Sequence, residues 1–175
     1  MKKKLDPRIL RCIKRAVAQR HRGFFIIIGD RGRDQVVNLH TLLSKSRVGP
    51  RPSVLWCYKK ELGFSSHQKK RMKQLKKKQA TGSFAAEVEN PFELFLSSTE
   101  ISYCYYKETQ RILGTTHDML VLQDFESVTP NILCRSIETV RGGGLVVMLL
   151  QTMSSLKQIY SLAMDAHSRY RTQAF

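Results

Sequence analysis

The sequence has few acidic residues and no long apolar segment. Its 175 residues include 14 Asp plus Glu against 30 Lys plus Arg, a formal net charge of +16. No apolar run approaches the roughly 18 residues that a membrane-spanning helix needs. The N-terminal Met-Lys-Lys-Lys-Leu is followed by Asp6 and Arg8, whereas a secretory signal would continue with an apolar stretch. We therefore expect one globular domain of the cytosol or nucleus, without membrane contact.

Paired metal ligands and catalytic motifs are also missing. The four cysteines form no C-x-x-C pair, which argues against a zinc ribbon or a thioredoxin-type motif. The five histidines include no H-E-x-x-H pair, and the G-x-S-x-G elbow of serine hydrolases is absent. The sequence thus predicts no metal site and no catalytic nucleophile.

The first apolar run ends in a glycine-bounded turn, 29-GDRG-32, which is where nucleotide hydrolases hold phosphate. A Walker A loop requires G-x-x-x-x-G-K-[ST], but counting from Gly29 its last three positions hold Asp34, Gln35 and Val36. The glycine spacing also fails the dinucleotide fingerprint G-x-G-x-x-G. We interpret the stretch as a structural turn between a strand and a helix.

Two further sequence features resemble ligand sites. In 120-LVLQDFESV-128, Asp124 and Glu126 follow an apolar strand as in Walker B, but without a phosphate-loop lysine and hydroxyl the metal would lack partners. The stretch Arg141–Val146 fails the acetyl-CoA pattern [RQ]-x-x-G-x-[GA] at its last position. We interpret Gly142-Gly143-Gly144 as a helix C-cap and tight turn, and we predict no catalytic, cofactor-binding or metal-binding residue.

Apolar runs typical of strands recur along the chain at residues 24–28, 54–58, 101–105, 119–122 and 145–150. Helical patterns accompany them: an N-terminal amphipathic helix from Asp6-Pro7 to about His21, then segments at about 34–44, 66–79, 91–97, 107–113, 130–140 and 154–169. Several strands are apolar on both faces, as strands covered by helices on both sides are. This predicts a three-layer α/β domain with a mostly parallel sheet, resembling a degenerate P-loop NTPase or Rossmann domain.

The strongest signal in the sequence is a dense basic run, 67-HQKKRMKQLKKKQ-79, within an expected flexible helical insert at about 59–90. Seven cations fall in ten residues without an acid: Lys69, Lys70, Arg71, Lys73, Lys76, Lys77 and Lys78. The N-terminal segment adds nine more cations against Asp6 alone. Such patches favour nucleic-acid backbone contact, with RNA as the expected partner; a solvated helix or a nuclear-import signal is the alternative.

Long stretches of the chain resemble the N-terminal region of the eukaryotic RNA cytidine acetyltransferases. The resemblance is carried by 51-RPSVLWCYKKELGFSSHQKKRMKQLKKK-78, 91-PFELFLSSTEISYCYYKETQRILGTT-116, 120-LVLQDFESVTPNILCRSIETVRGGGLVVMLLQTMSSLKQIY-160, 164-MDAHSRYRT-172 and GDRGRDQVV in the opening turn. These motifs are long, ungapped and specific, and together they cover nearly the whole chain.

The resemblance implies a nucleolar family that uses acetyl-CoA and ATP with Mg²⁺ to form N4-acetylcytidine in small-subunit rRNA and in some tRNAs. Its members also act in small ribosomal subunit biogenesis. The expected partners are pre-rRNA, the small-subunit pre-ribosome, tRNA with an adaptor protein, and the downstream domains of the enzyme, which in full-length form is a possible homodimer.

The resemblance also limits what this chain is expected to do alone. The family carries its helicase-like ATPase module, its phosphate loop and its acetyltransferase domain beyond the region matched here, so no catalytic residue transfers to a position up to Phe175. We expect a single non-catalytic N-terminal domain over residues 1–175 that contacts RNA or the pre-ribosome and packs on the ATPase module. A truncated protein-interaction scaffold in ribosome assembly is the alternative, and residual ATP hydrolysis is the weakest one.

Overall fold

The computed structural model describes residues 6–29, 31–59 and 91–150. The helices are α1 (Pro7–Gln19), α2 (Gly32–Ser46), α3 (Pro91–Ser98) and α4 (Pro130–Glu138), with 3₁₀ turns η1 (Tyr106–Ile112) and η2 (Phe125–Ser127). The strands are β1 (Gly23–Ile28), β2 (Val54–Tyr58), β3 (Ile101–Tyr105), β4 (His117–Leu122) and β5 (Val140–Leu150). The helices expected at about 66–79 and 154–169 lie outside the described residues.

All five strands run parallel in one sheet of order β1-β5-β4-β2-β3, so β1 and β3 are the edge strands. The chain moves from β1 to β2 and β3 in one direction across the sheet, then returns through β4 to β5. Crossovers between parallel strands are right-handed, so connections that move in opposite directions across the sheet cover opposite faces. The connections from β1 to β2 and from β2 to β3 therefore cover one face, and those from β3 to β4 and from β4 to β5 cover the other. The predicted three-layer α/β class is therefore confirmed.

The two faces of the sheet carry two separate apolar cores. The first core joins α1, α2 and α3 to alternate strand residues and includes Ile13, Leu43 and Trp56, each fully buried. The second core joins η1, η2 and α4 to the intervening strand residues, among them Leu55 and Leu120. Because β2 is buried at all five positions, its sequence had to be apolar on both sides.

The helix starts follow the capping residues. The Asp6 carboxylate accepts a hydrogen bond of 2.8 Å from the Arg8 backbone N–H, and Pro7 occupies the first helical position of α1. The hydrogen bonds from Arg8 lower the pKa of Asp6 to about 2. Thr129 caps α4 in the same way, its hydroxyl accepting from the Ile132 N–H at 3.2 Å, with Pro130 next in the chain.

The glycine run does not form the predicted helix cap and turn. Helix α4 ends before it, at Glu138, and Gly142-Gly143-Gly144 lie inside β5. His117 pairs with Val140 and Met119 with Leu145, so Asp118 alone faces the four residues 141–144, and β5 bulges there. The run is rich in glycine because the bulge presses against the end of α1 and against β4, where β-carbons would collide.

Asp118 forms a buried ionic cluster beside this bulge, and only 8% of its side chain is exposed. Its carboxylate accepts hydrogen bonds from the guanidinium of Arg47 and from the Ser53 backbone N–H at 3.0 Å, and it forms an ion pair with Arg141, whose Nε lies 2.8 Å away. The cluster ties the end of α2 and the start of β2 to β4 and β5. It lies at the amino edge of the sheet, opposite the edge where parallel α/β proteins bind ligands.

His40 is a second buried titratable group, 4% exposed in α2. Its Nε2–H donates to the Pro52 carbonyl at 2.9 Å, and its ring meets the Phe95 ring edge-on at 5.0 Å. Burial lowers the pKa of His40, and the Arg51 charge adds to this, against opposing contributions from the Pro52 hydrogen bond and from Asp118. The neutral imidazole is therefore the form that the fold accommodates.

We expect acidification from about pH 7.5 to about pH 5.5 to lower the unfolding free energy through His40. The folded pKa lies below the unfolded one, so the stabilisation holds above the unfolded pKa and is lost as pH falls. His40→Gln, which can still donate to Pro52, should flatten that pH dependence in urea unfolding. An unchanged slope in the variant would show that His40 does not titrate in this window.

Candidate nucleic-acid interface

The turn after β1 is short, and both of its glycines have a structural role. Only three residues separate β1 from α2, and Gly29 adopts φ +122°, a conformation that other residues rarely take. A β-carbon on Gly32 would lie 3.2 Å from Leu149 Cδ2, so this glycine lets α2 approach β5. The glycines therefore serve backbone geometry, as the sequence indicated.

Asp124, just after the end of β4, makes a structural hydrogen bond. Its Oδ2 accepts from the Lys59 backbone N–H at 3.1 Å, which joins the exit of β2 to the exit of β4. Asp124 itself is left-handed, at φ 56° and ψ 58°, which an aspartate tolerates better than most residues. The arrangement agrees with a strand-end turn, the interpretation favoured by the sequence.

The crevice between the carboxyl ends of β2 and β4 is where the connections diverge to opposite faces, the usual ligand position in an open parallel sheet. Here Gln123 occupies it. The Gln123 Oε1 accepts from Trp56 Nε1 at 3.2 Å, and its carbonyl accepts from the Tyr106 hydroxyl. Hydrogen bonds of the protein itself thus hold Gln123 in the crevice.

Basic side chains cover the outer face of α1. Ile13 and Ala16 turn inward and are buried, while Arg11, Lys14 and Arg15 are exposed. Within the described residues these three cations form no salt bridge, whereas the nearby Arg8 is held by Asp6. A helix face that carries cations without acids attracts polyanions such as the nucleic-acid backbone.

The dense basic run predicted to bind nucleic acid, Lys69, Lys70, Arg71, Lys73, Lys76, Lys77 and Lys78, lies outside the described residues. The structure does fix the two points from which that segment extends. The chain leaves β2 at Tyr58 and re-enters at Pro91, the first residue of α3. Both residues lie at the carboxyl edge of the sheet, because α3 runs antiparallel to the strands that it connects.

Three tyrosines meet at the same exit, a grouping that the sequence reasoning missed. The Tyr58 ring lies 4.6 Å from the Tyr105 ring and 6.4 Å from the Tyr103 ring, centroid to centroid. Tyr103 and Tyr105 alternate on edge strand β3 and keep 43% and 36% of their surface exposed. Burial of the rest of the side chain raises the pKa of Tyr103. The alternation in 101-ISYCYY-106 was the available signal, since it places both tyrosines on one face.

Other site types find no support in the part of the chain that the structure describes. Residues 6–29, 31–59 and 91–150 contain no group of three or more His, Cys, Asp or Glu side chains placed to hold a metal ion. Cys12, Cys57, Cys104 and Cys134 are free thiols. Across the same residues no helix is both long and apolar enough to span a membrane.

The fold and these surfaces define a parallel three-layer α/β domain, consistent with a Rossmann-like or P-loop-like fold, with a basic outer helix. Comparison with known proteins gives the family. The family described as tRNA(Met) cytidine acetyltransferase TmcA, N-terminal, matches residues 1–173. The chain belongs to this family.

Its curated relatives are much longer than the chain. The RNA cytidine acetyltransferases of Mus musculus and Homo sapiens are each 62% identical to it over 173 residues, and that of Schizosaccharomyces pombe is 59% identical over 174. These matches cover 99% of this chain but 17% of each relative. The chain therefore spans about a sixth of the length of these enzymes.

Proposed function

We propose that this chain is the non-catalytic N-terminal domain of an enzyme that forms N4-acetylcytidine in small-subunit rRNA and in tRNA. The relatives are named RNA cytidine acetyltransferases, and the match runs over nearly the whole chain. The hydrogen-bonded Gln123 in the crevice and the close approach of Gly32 to Leu149 support a non-catalytic role for the described residues. Acetyl-CoA and ATP with Mg²⁺ would then bind elsewhere in the full-length enzyme.

Within that enzyme, we propose that the domain holds RNA by its phosphate backbone. The observation that carries this proposal is the exposed cationic face of α1, Arg11, Lys14 and Arg15, which forms no salt bridge among the described residues. The basic run Lys69–Lys78 adds seven charges to the same chain. The RNA would be pre-rRNA in the small-subunit pre-ribosome, or tRNA presented with an adaptor protein.

The wider setting follows from the same proposal. A role in small ribosomal subunit biogenesis requires the nucleus and the nucleolus as the place of action. The domain would pack on the downstream ATPase module of the enzyme, which as a full-length protein would form a homodimer. A protein-interaction scaffold in ribosome assembly is the second candidate, since α1 could equally present its cations to an acidic protein surface.

Salt dependence of RNA binding tests the proposed contact. The 175-residue chain should bind a single-stranded RNA oligonucleotide, with a log Kobs against log salt slope of about −0.7 for each phosphate contacted. Replacing Lys69, Lys73 and Lys76 with Ser should make the slope shallower by about 2 and weaken binding about tenfold or more at 0.1 M salt. Fluorescence anisotropy at several salt concentrations gives both quantities.

A matched variant separates a localised interface from diffuse charge. Arg33, Lys45 and Lys107 are exposed cations of α2 and η1, and replacing them with Ser removes the same net charge. This control variant should keep the wild-type salt slope. The variant in which Arg11, Lys14 and Arg15 are replaced with Ser should lose about as much RNA affinity and slope as the variant in which Lys69, Lys73 and Lys76 are replaced. Equal losses in the control would assign binding to net charge, and no measurable RNA binding would favour the scaffold.

A further inference from the structure

The described residues leave an apolar row uncovered on edge strand β1. Phe24, Ile26 and Ile28 alternate on one face of this strand and are 46%, 46% and 49% exposed. The intervening Phe25 and Ile27 face the other way and pack against the core beneath α1 and α2. Three large apolar side chains in a row at near half exposure form a contiguous patch, which differs from scattered surface residues.

This row continues the second core of the domain. Phe24, Ile26 and Ile28 pair in register with Val146, Met148 and Leu150 of β5, all buried members of that core. Helix α4 and the turns η1 and η2 cover the core over the other strands. The face of β1 is the place at which this helical layer stops.

The topology indicates which part of the chain completes the layer. The connections from β3 to β4 and from β4 to β5 move toward β1, and both run over the face that carries the row. Because crossovers are right-handed, the direction in which a connection moves across the sheet determines the face that it covers. A helix that continues toward β1 after β5 therefore covers β1 on this face. The chain beyond Leu150 starts beside Ile28, its partner in the sheet.

The sequence after β5 fits such a helix. Leu156, Ile159, Tyr160, Ala163 and Met164 follow the spacing i, i+3, i+4, i+7, i+8, which gives a single apolar helical face. From residue 156 to 164 a helix rises about 12 Å, and the strand from Phe24 to Ile28 extends about 13 Å. A helix that begins at residue 154 would leave three residues, 151–153, for the connection after β5, which is a usual length for a connection from a strand to a helix.

We propose that the segment 154–169 of this chain docks as a helix on the row Phe24, Ile26 and Ile28 and closes the second core. Because the segment returns along the sheet from the carboxyl edge, Leu156 lies nearest Ile28 and Met164 nearest Phe24. The segment that leads toward the rest of the enzyme is then an integral part of this domain.

Thiol labelling in the 175-residue chain tests the docking. Cys12 and Cys134 are exposed and are replaced with Ser, while the buried Cys57 and Cys104 remain. Ile26→Cys then reports on the row. Ser102→Cys is the reference, since Ser102 is exposed on the opposite edge strand and pairs with Leu55 of the same core face.

With the segment docked, Ile26→Cys should react with iodoacetamide at least about tenfold more slowly than Ser102→Cys. Leu156→Ser combined with Ile159→Ser should bring the two rates together. Leu162→Ser, the same type of change on the opposite side of the helical pattern, should leave the protection intact. The rate at Ser102→Cys and the unreactive Cys57 and Cys104 report that each variant remains folded.

Three results would overturn the proposal. Equal rates at the two positions would mean that residues 154–169 do not cover the row. Protection that rises with protein concentration, together with dimers in sedimentation, would assign the row to a second copy of the chain. Protection that survives the Leu156 and Ile159 changes would assign it to another segment.

Discussion

Replacing Asp118 with Asn should lower the free energy of unfolding by about 3 kcal/mol, a large share of the roughly 5–15 kcal/mol of a typical domain. The substitution keeps the shape of the side chain but removes the charge that Arg47 and Arg141 share. The side chain of Arg47 is only 25% exposed, so hydration of its guanidinium compensates little for the lost ion pair with Asp118. Removing one partner of a buried ion pair costs more than the pair itself contributes, because the other charge remains buried.

The pH dependence of stability gives a second measurement on the same residue. Burial raises the pKa of Asp118, but the hydrogen bonds from Arg47 and Ser53 and the charges of both arginines outweigh it, so the pKa lies below its usual value. A carboxyl with a lowered folded pKa stabilises the fold above its unfolded pKa. That contribution should therefore be lost below about pH 4 in the wild type and be absent in the variant.

A solvent-exposed ion pair provides the control for Asp118. Glu108 bonds Arg111 at 3.0 Å, but its side chain is 44% exposed, so Glu108→Gln should cost less than about 1 kcal/mol. Urea unfolding followed by circular dichroism measures both variants. If Asp118→Asn and Glu108→Gln lower the free energy of unfolding by similarly small amounts, the buried cluster contributes no more to stability than a surface ion pair.

Gly144→Ala should destabilise the protein by about 3 kcal/mol, at the upper end of the range for overpacking a core. A β-carbon at this position would lie 2.5 Å from the Asp118 carbonyl oxygen and 2.7 Å from Val140 Cγ1. The carbonyl belongs to the backbone of β4 and cannot rotate away as a side chain can. The bulge of β5 would have to separate from β4 to admit the methyl group.

Gly114→Ala is the matched control for the bulge. Gly114 has φ +84°, but no atom lies within 4 Å of the β-carbon position, so the substitution costs only the left-handed backbone conformation, about 1 kcal/mol. The difference between the two alanine variants in thermal unfolding isolates the collision. If both variants lose the same stability, then backbone conformation and not packing explains the glycine at 144.

The strands of this protein could be predicted because their local signal and their tertiary role agree. The apolar runs at 54–58 and 101–105 coincide with β2 and β3, and the helix predicted at about 34–44 extends over Gly32–Ser46. The structure of the glycine run could not be predicted from the sequence, because glycine is favoured both at a helix C-cap and in a β-bulge. Only the approach of Arg20, whose carbonyl oxygen lies 2.8 Å from the β-carbon position of Gly142, decides between them.

The surface features divide in the same way. The basic run Lys69–Lys78 and the cations of α1 are visible in the sequence because charge density needs no partner. The tyrosine cluster is not visible in the sequence, because Tyr58 contacts Tyr103 and Tyr105 only through the register of β2 with β3. Asp118 gave no signal either, since its partners are 71 and 65 positions away at Arg47 and Ser53.

The sequence by itself determined the α/β class, the family and the cationic character, because strand hydrophobicity, specific motifs and net charge are properties of the chain alone. The tertiary structure decided that the glycines form a bulge, that Asp118 joins four elements, and that the described elements leave an apolar row of β1 uncovered. These depend on which atoms meet across strands far apart in the sequence, and short-range packing and desolvation set their energies only once the sheet has formed.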